Sequence, residues 1–61
     1  MLTIEIENSG AAFDDEPRRE LARILRELAT KLEAGRSPTG LRDINGNLCG
    51  QVYLDIEEAE Q

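Results

Sequence analysis

The sequence predicts a small α+β fold in the order β-α-β-β, with one amphipathic helix packed on a three-stranded sheet. Three observations carry this. Residues 2–7, Leu-Thr-Ile-Glu-Ile-Glu, alternate apolar and polar side chains, the period of a strand buried on one face. Leu21, Ile24, Leu25, Leu28 and Leu32 recur at three- and four-residue spacing, which lines one side of a helix. An Asn45-Gly46 step separates two further apolar runs, and such a step is a hairpin signal because glycine adopts positive φ freely and asparagine tolerates it.

The first strand, with Leu2, Ile4 and Ile6 inward, is broken by Asn8-Ser9-Gly10. Asp14-Asp15-Glu16-Pro17 reads as a helix start. Asp14 or Asp15 caps free N–H groups, Pro17 loses nothing in a first turn, and the acids suit the positive end of the helix dipole. The helix is expected over 15–34, with Gly35 as its left-handed terminator and Phe13 stapling the entry to the core. Residues 36–40, Arg-Ser-Pro-Thr-Gly, form a loop. A strand at 41–45 leads into the turn, and the last strand runs over 48–57 with Leu48, Val52, Leu54 and Ile56 on one face. Residues 57–61 read as a polar tail. The expected core is Leu2, Ile4, Ile6, Phe13, Leu21, Ile24, Leu25, Leu28, Leu32, Leu41, Ile44, Leu48, Val52, Leu54 and Ile56.

Two hairpin registers compete. A three-residue loop Asn45-Gly46-Asn47 sets Ile44 opposite Leu48. A type I turn from Asp43 to Gly46 sets Arg42 opposite Leu48. The first is preferred because it keeps apolar side chains together.

At 61 residues the chain makes one domain, 1–61, and a domain of this size buries only about 60% of its unfolded surface. Such scaffolds usually add disulfides, a metal or a partner subunit. The single cysteine, Cys49, forms no internal disulfide, and with no histidine a zinc site lacks its ligands. No cofactor is expected. A homo-oligomer is, because three strands leave an edge open and pairing edges or faces between copies closes it.

A net charge of −6 argues against direct nucleic-acid binding, which needs a positive footprint. No apolar run approaches the roughly 18 residues of a membrane span, and no charged-then-apolar leader is visible. The lone thiol fits a cytosolic protein.

Without histidine, the commonest general base and its Ser and Cys pairings are absent, and no catalytic constellation is seen. The protein is expected not to be an enzyme. Asp43, Asn45 and Asn47 match the opening of a calcium loop. The match ends at Leu48 in place of the glycine and Leu54 in place of the bidentate glutamate, so no metal is expected. Cys49 reads as a strand residue at or beside an interface. Arg19, Arg23 and Arg26 share a face opposite the apolar stripe, among Glu16, Glu20 and Glu27, an arrangement suited to helical ion pairs. The alternative use of the arginines is an anionic ligand. Its expected site is Arg18, Arg19, Arg42, Asp43, Asn45 and Asn47, with guanidinium forks on phosphate and side-chain amides on base or ribose edges.

The combination of Ala11-Ala12-Phe13-Asp14-Asp15, the helix from Glu20 to Ala29, and Leu41-Arg42-Asp43-Ile44-Asn45-Gly46-Asn47 followed by Gly50 resembles a family of short bacteriophage and prophage proteins. The likeness covers nearly the whole chain. It departs at Cys49, where the family pattern leads to valine. The resemblance implies a phage origin and residence in the host cytoplasm. It suits a non-catalytic accessory protein that counters a host defence by binding a host protein or sequestering a nucleotide signal. The alternative is a structural or assembly accessory of the phage particle.

Overall fold

Alternating residues at the start of the chain form the strand β1, Leu2–Ile6, in the computed structural model, which describes residues 1–55. A single 3-10 turn, Ala11–Phe13, follows and buries Phe13. The helix α1 is Pro17–Glu33, followed by the strands β2, Gly40–Arg42, and β3, Leu48–Leu54. β3 is central in an antiparallel sheet of order β1-β3-β2. The α+β architecture read from the sequence is therefore the observed one. None of the helical segments among the described residues is long and apolar enough to cross a membrane. Ile56, Glu57 and Glu58, with the rest of the tail, lie outside the described residues.

The helix begins later than its acids suggest. Glu16, not Asp14 or Asp15, occupies the cap position, with no side-chain cap bond, and Pro17 opens the first turn. Its end follows the expected chemistry. Gly35 takes φ +85°, its N–H donates to the Leu32 carbonyl, and the Arg36 N–H donates to that of Lys31 at 2.9 Å. These two bonds form a Schellman motif, which satisfies the last free carbonyls.

The core consists of Phe13, Ile24, Leu28, Leu41, Cys49 and Val52, with Ile4, Ile6, Ala12, Leu21 and Leu32 packed against it. Leu2, Leu25, Ile44 and Leu48, all expected inside, are exposed. Leu2 sits on an edge strand, and Leu25 lies beside, not on, the helix line Glu20-Ile24-Leu28 that is buried.

Leu48 and Ile44 are displaced by the hairpin register. Arg42 faces Leu48, Leu41 faces Gly50, and Cys49 between them has no partner. This is the register of the type I turn, not the preferred three-residue loop. One unpaired residue is a β-bulge, and it inverts the alternation beyond it. Cys49 is thereby turned into the core, while Leu48 is turned out to 60% exposure. Cys49 is thus a strand residue, as expected, and its side chain belongs to the core.

Candidate functional site

The hairpin tip is organised from inside by Asp43. Its Oδ1 accepts the backbone N–H groups of Asn45 and Asn47, both at 2.9 Å. Aspartate at this place is a turn former because its short side chain reaches amides two and four residues on. Backbone bonds add to it. The Gly46 N–H donates to the Asp43 carbonyl, and the Asp43 N–H donates to that of Asn47, each at 2.9 Å. Gly46 adopts φ +84°, which a Cβ would strain. Asp43 is only 7% exposed.

A second buried carboxylate fastens this tip to the helix. Glu20, also 7% exposed, continues the helix line of Ile24 and Leu28. Its Oε2 accepts the Ile44 N–H at 2.8 Å. Both of its oxygens accept from Arg23, at 3.0 Å from Nε and 2.8 Å from Nη2. Arg23 Nη2 also reaches the Arg42 carbonyl at 3.3 Å, and Nη1 pairs with Glu27 at 3.2 Å. Arg23 was expected on an open helix face. It is instead drawn half inside by these acceptors, while its pairing with Glu20 and Glu27 follows the expected helical spacing.

The Arg23 bond, helped by the Ile44 N–H, holds the Glu20 carboxyl below its ordinary value of 4.5 against the opposing effect of burial. Arg23 is correspondingly pushed up by Glu20. A carboxyl depressed on folding contributes stability that is present above its unfolded value and lost as pH falls through the folded one. Thermal melts of wild type and Glu20→Gln are therefore expected to differ at neutral pH and to converge as the pH falls below 4.5 and through the lower folded value. A constant separation across that range contradicts the arrangement.

The residues expected to bind an anion are only partly assembled. Arg42, Asp43, Asn45 and Asn47 share the hairpin, with Arg42 Nη1 donating to the Gly46 carbonyl at 3.0 Å. Asp43 is the turn's internal acceptor and is directed at its own amides. Arg18 and Arg19 lie on the first turns of α1, and Arg19 pairs with Glu16 at 3.3 Å on open surface. The residues missed are Glu20 and Cys49. Glu20 carried a signal, its place four residues before Ile24. Burial, then the carboxylates of Asp43 and Glu20, push the Cys49 thiol up, which keeps it protonated and unreactive. Among the described residues no group of acids and cysteine is arranged to hold a metal ion.

The helix covers one face of the sheet. The other carries Thr3, Glu5, Arg42, Leu48, Gln51 and Tyr53, with Leu48 and Tyr53 at 60% and 52% exposure. Gly40 supplies a gap there. A Cβ would lie 3.0 Å from Leu48 Cδ1, so the leucine lies across the glycine backbone. An open groove of about 590 Å³ runs past Thr39, Gly40, Arg42, Leu48, Gln51 and Tyr53. Together the locked hairpin and this uncovered face define a small α+β protein that presents a surface. Compared with protein-family models, with curated proteins and with solved structures, the chain matches none.

Proposed function

We propose that this is a non-catalytic phage accessory protein that counters a host defence by gripping a host protein with the hairpin and the uncovered sheet face. The observation that carries the reading is the exposure of Ile44 (67%) on a tip that Asp43 and Glu20 hold, together with that of Leu48 and Tyr53 on the uncovered sheet face. Exposed apolar groups on an ordered scaffold suit a protein partner, because a preorganised surface loses little entropy on binding. A nucleotide signal fits the geometry less well. Of the guanidinium groups expected to meet phosphate, that of Arg19 is paired with Glu16 and that of Arg42 is bonded to Gly46. The phage setting rests on the sequence resemblance.

The test is photo-crosslinking in infected host cells from probes placed at Leu48 and, separately, at Lys31 on the helix. One host protein captured from the Leu48 position alone, and lost on Ile44→Asp, is the expected result. Equal capture from both positions contradicts the assignment. Heat released on titration with cyclic nucleotides would move the reading to a nucleotide signal.

A further inference from the structure

We propose that β1 is a self-recognition edge, and that two copies join through it in one register, antiparallel and centred on Ile4, into a continuous six-stranded sheet. The outer edge of β1 has no partner among the described residues. Its protection is slight, since residues 2–6 include no proline, no lysine and no bulge, and Glu5 is their one charged side chain.

Backbone parity selects the register. The Asp55 N–H donates to the Met1 carbonyl, and the Glu7 N–H donates to that of Cys49. Hydrogen-bonded pairs alternate along an antiparallel ladder. Thr3, facing Tyr53, and Glu5, facing Gln51, therefore direct their backbone groups at β3. Leu2, Ile4 and Ile6 direct theirs at the open edge. Centring on Ile4 makes Ile4 face its own copy, and Leu2 face Ile6 twice. Each facing pair exchanges two hydrogen bonds, about six in all.

The side chains agree with that register. On the core face, Leu2, Ile4 and Ile6 of one copy continue into those of the other, which covers the half-exposed Leu2. On the uncovered face, Thr3 of each copy stands opposite Glu5 of the other, with no like charges facing. Sliding by two residues one way sets Glu5 against Glu5, and sliding the other way removes a hydrogen-bonded pair. The dyad lies normal to the sheet, so both helices fall on one face and both hairpins at the far ends of the assembly. Self-association thus leaves both hairpin tips open to a host protein.

Charge at positions 3 and 5 tests the register without touching the core. Light scattering after size-exclusion is expected to give twice the 6.8 kDa chain mass at high concentration, falling on dilution. Thr3→Glu sets acids face to face at two symmetric places and is expected to weaken association by about tenfold or more, with the circular dichroism spectrum unchanged. Adding Glu5→Lys to it places opposite charges there and restores the dimer. A wild-type monomer at about millimolar concentration overturns the proposal. So does a Thr3→Glu variant that dimerises as before, or a double variant that stays monomeric.

Discussion

Gly50→Ala is expected to lower stability by about 3 kcal/mol, at the upper end of the cost of forcing extra atoms into a packed interior. Gly50 faces Ile6 across the β1–β3 ladder. A Cβ there collides with the Glu5 carbonyl oxygen and comes within 3.2 Å of Ile6 Cα and Cγ1. Two of those three atoms are backbone, so no rotamer change relieves the contact and β1 itself must move. Because β1 carries Ile4 and Ile6 into the core, its displacement also loosens the helix packing. Chemical denaturation checks the magnitude. Amide exchange at Thr3 and Glu5, which bond to β3, should accelerate before that of the helix. A variant as stable as wild type would mean that the strands do not approach as described.

Asp43→Ala is expected to cost about 2 kcal/mol, since it removes the side-chain acceptor of the Asn45 and Asn47 amides. In a domain this small that lowers the melting temperature by about 10 °C. Asp43→Asn keeps an acceptor oxygen in the same place and should recover most of that loss. The contrast separates hydrogen bonding from charge. Equal melting temperatures for the alanine variant and wild type would remove Asp43 from the turn.

Local signals carried the fold far, and their limit has a physical location. Period-two alternation placed β1, and Gly35 marked the helix end, because each depends on a few neighbouring residues. The hairpin was legible as a turn but not in register. Apolar grouping favoured Ile44 opposite Leu48, whereas the buried carboxylates of Asp43 and Glu20 bond three tip amides and outweigh that grouping. The bulge at Cys49 follows from the same register. It reverses which of Leu48 and Cys49 faces inward, and alternation alone carries no mark of such a reversal. Glutamate usually belongs on a solvated face, and the helical spacing alone groups Glu20 with the arginines there. Its burial depends on a partner, the Ile44 N–H, twenty-four residues away. Of the expected site, the hairpin residues are together, while Arg19 on the helix is occupied by its own acid.

The account rests on Glu20 reaching across the core to hold the hairpin tip, and the Ile44 amide reports that contact directly. An amide proton bonded to a carboxylate responds when the carboxylate is protonated. In a pH titration followed by NMR, the Ile44 N–H resonance is predicted to shift together with the Glu20 carboxyl carbon, with a common midpoint below 4.5. An Ile44 amide indifferent to Glu20, or a Glu20 midpoint at or above that ordinary value, would contradict it.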